Sequence, residues 1–153
     1  MDAELKTLDP ISVVGMDHVG SYAGIGEKFG ALFGMAMSQG WPIQGTLGIY
    51  FSDPREVPEA ELRSTACVVV PAGFDPGAEG VRTFVVEGGE YAVLRHVGSY
   101  TGLGDAWMRM YSEELPRLGR DDCGPPYEIY RNSPMEVPED QLITDIHVPV
   151  KAL

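Results

Sequence analysis

His18-Val19-Gly20-Ser21-Tyr22-Ala23-Gly24-Ile25-Gly26 returns as His96-Val97-Gly98-Ser99-Tyr100-Thr101-Gly102-Leu103-Gly104, 96 − 18 = 78 residues later, with seven of nine positions identical. A repeat of this quality constrains the architecture before any local reading does, because one supersecondary unit must be built twice. At the same offset Phe29, Leu32 and Phe33 match Trp107, Met110 and Tyr111. Further on, Tyr50, Val57, Pro58, Glu59 and Leu62 match Tyr130, Val137, Pro138, Glu139 and Leu142 at an offset of 130 − 50 = 80, so two residues are inserted in between. The expected organisation is a single domain over 1–153, built from repeat 1 (2–71) and repeat 2 (80–150) joined by a loop at 72–79.

At 153 residues the chain is long enough to bury a core without staples, whereas either half alone would be marginal. Eleven basic against 23 acidic residues give a net charge of −12. That is the reverse of the basic footprint nucleic-acid binding requires, so no direct nucleic-acid binding is expected. The field favours cationic partners, although solubility alone explains it equally well. Cys67 and Cys123 form no Cys-x-x-Cys pair and no disulfide framework. No basic-then-apolar leader opens the chain, and no apolar run approaches the ~20 residues of a membrane span. A reduced, cytoplasmic protein without membrane attachment is expected. The duplication already supplies the symmetry a dimer would provide, which favours a monomer.

Asp2 to Leu8 alternates only weakly, whereas Ile11–Val19 is rich in Val and Ile and reads as a strand. From Tyr22 to Ser38 the period changes: Ile25, Phe29, Leu32, Phe33 and Ala36 line one helix face. Ser21 is the natural N-cap. Gly24, Gly26, Gly30 and Gly34 weaken that helix by about 1 kcal/mol each relative to Ala, and close packing against a sheet is the expected compensation. Thr46–Phe51 and Arg63–Pro71 read as strands. The second half repeats the order, with strands at Val81–Val86 and Tyr91–Val97 linked by a tight turn at Gly88-Gly89. Then come a helix from Tyr100 to Leu115 that Pro116 ends or distorts, and strands at Tyr127–Arg131 and Leu142–Val150. The fold class is α+β: strand–helix–strand–strand modules in tandem with pseudo-two-fold symmetry, their antiparallel sheets carrying helices on one face.

The paired His-Val-Gly-Ser-Tyr stretches, with Tyr127-Glu128-Ile129-Tyr130-Arg131-Asn132-Ser133-Pro134 and Asp145-Ile146-His147-Val148-Pro149-Val150, resemble the GyrI-like family over nearly the whole chain. That family is also seen as the effector-binding domain of bacterial multidrug-responsive transcription activators. The resemblance implies a ligand cleft between the two repeats that takes hydrophobic, often cationic compounds against aromatic walls and a buried glutamate. Matched by motif, the glutamate is Glu128. It also implies two alternatives: hydrolysis of strained, cyclopropane-bearing electrophiles, and protection of gyrase as a protein partner. Regulators of the family carry a DNA-binding domain before this one, and this chain starts at its first strand, so a regulator acting alone is not expected.

Read from the residues, Glu128 stands where the first repeat has Gly48 (128 − 80 = 48) and shares a strand face with Tyr130. It is either an exposed strand glutamate or a buried counter-charge for a ligand cation. In the hydrolase alternative it is the general acid or base, with Tyr100 assisting. Trp107, Phe29 and Trp41 are core aromatics or ligand walls. Tyr22 and Tyr100 recur in both halves, which suits a structural role or a pocket lining. His18 and His96 sit where they can hydrogen-bond their own turns. No His/Asp/Glu spacing resembles a metal site, and Gly24-Ile25-Gly26 lacks the third glycine of a dinucleotide fingerprint, so no cofactor is expected.

Overall fold

A computed structural model describes residues 2–153. Its contacts divide the chain into two units: Pro10–Glu87, and Gly88–Leu153 together with the N-terminal residues through Asp9. Both units are α+β with antiparallel strands.

The strands do not group as the sequence repeats do. β1 (Glu4–Leu8) precedes β2 (Ile11–Val19) by only Asp9-Pro10. A two-residue hairpin needs positive φ in its turn, which proline cannot adopt. β1 therefore pairs with β6 (Gly89–Val97) of the C-terminal unit, Leu5 opposite Ala92. The Pro10–Glu87 unit orders its strands β3–β4–β2–β5, where β3 is Gly45–Tyr50, β4 Arg63–Val69 and β5 Arg82–Val86. The hairpin expected at Gly88-Gly89 does not form: β5 pairs with β2, Phe84 opposite Val13, while β6 pairs with β1 and with β9 (Ile143–Ala152).

In the Pro10–Glu87 unit α1 (Ile25–Gln39) lays Ile25, Leu32 and Ala36 on Val14, Ala66 and Val68 of the sheet. The helix starts three residues later than Tyr22, because Tyr22–Gly24 forms a 3-10 turn that Ser21 caps through its Oγ, 3.2 Å from the Ala23 N–H. A Cβ at Gly24 would lie 2.9 Å from the His18 ring, so that glycine is required by close approach. The expectation of close packing fails at Gly26, Gly30 and Gly34. A Cβ at any of them meets nothing within 4 Å, because their side of α1 faces outward. Gly30→Ala and Gly34→Ala should each stabilise the protein by about 1 kcal/mol, raising Tm by roughly 2–4 °C in calorimetry.

The second helix is longer than its sequence suggests. α2 (Leu103–Arg109) runs into a π-helical stretch, Met110–Glu114, and on through α3 (Leu115–Leu118) to a left-handed Gly119, φ 67°. Pro116 lies inside rather than at the end. It offers no N–H and crowds the carbonyl four residues back, and the preceding turn opens so that the Leu115 N–H reaches the Met110 carbonyl. α1 ends at Gly40, φ 69°. The offset between the two caps is 119 − 40 = 79, so one of the two inserted residues is absorbed inside this helix as the π turn. The stretch also carries a buried carboxylate, Glu114, which accepts hydrogen bonds from the Ala3 N–H (2.8 Å), Arg117 (2.8 Å) and Arg109 (3.2 Å), tying the start of β1 to the helix. The core beneath comprises Ala92, Leu94, Met110, Leu115, Ile146 and Val148.

Candidate functional site

β7 (Arg120–Asp122) pairs with the end of β9, Asp121 opposite Lys151, and β8 (Tyr127–Tyr130) pairs with β9 further back, Glu128 opposite Ile146 and Tyr130 opposite Thr144. Alternation along the strand sends Glu128 and Tyr130 to the face that carries Ile146 and the helix. Glu128 is 4% exposed. One carboxylate oxygen accepts the Trp107 indole N–H at 2.5 Å, and the other accepts the Tyr130 hydroxyl at 2.7 Å. Burying a carboxylate is costly unless it is hydrogen-bonded, and here donors reach both oxygens. Trp107 stacks on Tyr111, ring centres 6.1 Å apart and 16° from parallel. Tyr100 sets its ring edgewise to Tyr130 at 6.0 Å. Burial, and then the nearby charge of Glu128, push the Tyr100 phenol above its ordinary pKa.

The structure thus brings together Glu128, Tyr130, Trp107 and Tyr100, and adds Tyr111. Tyr111 was legible as the match of Phe33, four residues beyond Trp107 and hence on the same helix face. Tyr22, Phe29 and Trp41 lie in the other unit. There Gly48 replaces Glu128, Phe29 stacks on Phe33 at 6.1 Å, and Tyr22 stands edgewise to Tyr50 at 4.9 Å. Trp41 is buried in that unit's core against Phe74. His18 and His96 bond the Ser21 and Ser99 carbonyls through Nε2, each at 2.8 Å, as expected of turn-bracing residues.

The opposite face of β8 and β9 is also charged and buried. Asp145 is 3% exposed and accepts two hydrogen bonds from Arg95 (2.8 and 3.0 Å) and one from Arg131 (2.8 Å). Burial pushes its carboxyl upward, but these guanidinium bonds prevail and hold it below the usual range. His147 stacks on Tyr127 at 4.7 Å and donates from Nδ1 to the Asp145 carbonyl. Burial depresses its pKa to about 4. Neither role was visible in the sequence. Among the described residues no cluster of His, Cys, Asp and Glu is arranged to hold a metal, and no helix is long and apolar enough to cross a membrane.

Antiparallel sheets covered by helices make this an α+β protein, with a buried carboxylate held among aromatic rings. Residues 1–151 match the model of the GyrI-like small molecule binding domain, and the chain belongs to that family. Its relatives include a DNA gyrase inhibitor of Erwinia billingiae, 32% identical over 110 residues and 68% of each chain. DNA gyrase inhibitor 2 of Dickeya dadantii is 33% identical over 92 residues, 59% of each chain, so the match spans rather more than half of that relative. The fold is that of the EcmrR C-terminal domain (TM-score 0.85, 17% identity, 99% of this chain and 98% of that one). Two further likenesses are a Listeria innocua hydrolase (TM-score 0.70, 14% identity, 98% and 92%) and a protein solved bound to tetraphenylphosphonium (TM-score 0.65, 14% identity, 99% and 94%).

Proposed function

We propose that this protein captures hydrophobic aromatic cations, with Glu128 as a fixed negative charge and Trp107, Tyr130 and Tyr100 as the surrounding wall. The observation that carries the reading is the buried carboxylate whose oxygens are held by an indole N–H and a phenol O–H. These two donors are neutral, and they orient the carboxylate. Aromatic faces add about 0.5–2 kcal/mol of attraction for a cation. The tetraphenylphosphonium complex of a protein with this fold points the same way. Calorimetric titration with tetraphenylphosphonium and its isosteric anion, tetraphenylborate, tests it. The cation should bind in the low-micromolar range, about −8 kcal/mol, and at least about tenfold more tightly than the anion. Equal affinities would remove the electrostatic argument.

The 2.7 Å contact between Tyr130 and Glu128 supports a second reading, because a hydrogen-bonded phenol–carboxylate pair is a general acid–base geometry. In that reading the protein hydrolyses strained, cyclopropane-bearing electrophiles. Mass spectrometry of such a compound incubated with wild type and Glu128→Gln separates turnover from capture. The relatives named DNA gyrase inhibitor support a gyrase partner, and a supercoiling assay with purified gyrase tests that.

A further inference from the structure

Tyr22 and Tyr100 occupy equivalent places in the repeated motif, yet their hydroxyls are used differently. The Tyr22 hydroxyl is bound to backbone. It donates to the Ser52 carbonyl at 2.5 Å, accepts the Ser52 N–H at 3.0 Å, and lies 3.4 Å from the Arg63 carbonyl. Tyr100 makes no such bond: among the described residues its hydroxyl has no hydrogen-bond partner, and the residue is 39% exposed. The facing loops differ at Ser52. The residue matching Ser52 is Asn132 (132 − 80 = 52). Its longer side chain spans the loop itself, donating to the Gln141 carbonyl and accepting the Ile143 N–H. Ser52 accepts the equivalent Arg63 N–H through Oγ, and its own backbone N–H and carbonyl bond Tyr22. Relieved of that anchor, the Tyr100 ring stands 6.0 Å from Tyr130, against 4.9 Å between Tyr22 and Tyr50.

We infer that Tyr100 is the specificity-determining residue of the Glu128 site, presenting its hydroxyl as a donor to ligands that carry a hydrogen-bond acceptor beside their cationic centre. The inference rests on the cation-capture reading above and narrows its ligand class. Tyr130 is engaged with Glu128 and Trp107 donates to the same carboxylate, whereas the Tyr100 hydroxyl, on a residue 39% exposed, is placed to meet a ligand atom. Partial burial, and then the charge of Glu128, push the phenol's pKa upward, and a protonated phenol donates to a carbonyl or ether oxygen. The arrangement therefore discriminates between cations of equal charge and similar bulk.

The test uses two probes, tetraphenylphosphonium and (4-acetylphenyl)triphenylphosphonium, titrated into wild type, Tyr100→Phe and Tyr22→Phe. Wild type should bind the acetyl compound about fivefold more tightly, the effect of one neutral hydrogen bond. Tyr100→Phe should bind both equally, with its Tm within about a degree of wild type. Tyr22→Phe, which strips the Ser52 backbone of its partner, should melt several degrees lower. A preference that survives in Tyr100→Phe, or equal binding of the two probes by wild type, overturns the inference while leaving cation capture standing. If wild type binds neither probe, cation capture fails and the inference falls with it.

Discussion

Glu128→Gln should weaken tetraphenylphosphonium binding about 100-fold while leaving the protein folded. Two unit charges ~5 Å apart at an effective dielectric of ~20 attract by about 3 kcal/mol, which is that factor. The isosteric amide removes the charge and keeps the shape. Its carbonyl can take the Trp107 N–H, which cannot turn away. Its NH2 then faces Tyr130, whose hydroxyl can rotate to accept. Both neighbours stay satisfied, so thermal unfolding should change little, and binding of a neutral aromatic of similar size should persist. Loss of all binding together with a collapsed Tm would show that Glu128 acts through the fold. Unchanged cation affinity would show that the charge plays no part.

Stability should fall steeply below neutral pH, and His147 should account for about 3 kcal/mol of the fall. Its pKa is about 4 in the folded protein against an ordinary 6.5. Between those values the unfolded chain binds a proton that the folded one refuses, so stability is lost as pH drops from 6.5 toward 4. At ~1.4 kcal/mol per pKa unit the full loss is about 3 kcal/mol. Burial is the leading cause, and Arg131 and Lys6 push in the same direction. His147→Phe keeps a flat ring against Tyr127 and removes the titration. Denaturant unfolding at pH 7 and pH 4.5 should show wild type losing about 2 kcal/mol more than the variant across that interval. The variant should be slightly weaker at pH 7, having given up the bond to the Asp145 carbonyl. Parallel losses in the two proteins would assign the acid sensitivity to the carboxylates. Asp145, held low by Arg95 and Arg131, contributes stability that disappears only as pH falls through its own, lower pKa.

The duplicated motif made the α+β class, the two helices and most strands legible, because a turn that needs His18, Ser21 and Gly24 together leaves the same local trace at His96, Ser99 and Gly102. Glu128 stood out because the repeat breaks there. Tyr130 was legible as its neighbour by strand period, and Trp107 as a core aromatic or ligand wall, though neither as its hydrogen-bond donor.

What tertiary structure alone decided has a common physical origin in contacts between residues distant in sequence. Strand pairing is settled by which edges can reach each other. Asp9-Pro10 cannot form a tight turn, so β1 joins β6 rather than β2. Pro116 reads as ending or distorting the helix, and the structure decides for distortion: a π turn precedes it while Leu115 and Met110 stay packed in the core. The glycines of α1 read as close-packed, yet their side of the helix faces outward. Tyr22 and Tyr100 look alike in sequence and differ in use: the Tyr22 hydroxyl bonds the Ser52 backbone, thirty residues away, and the Tyr100 hydroxyl makes no such bond at the matching Asn132.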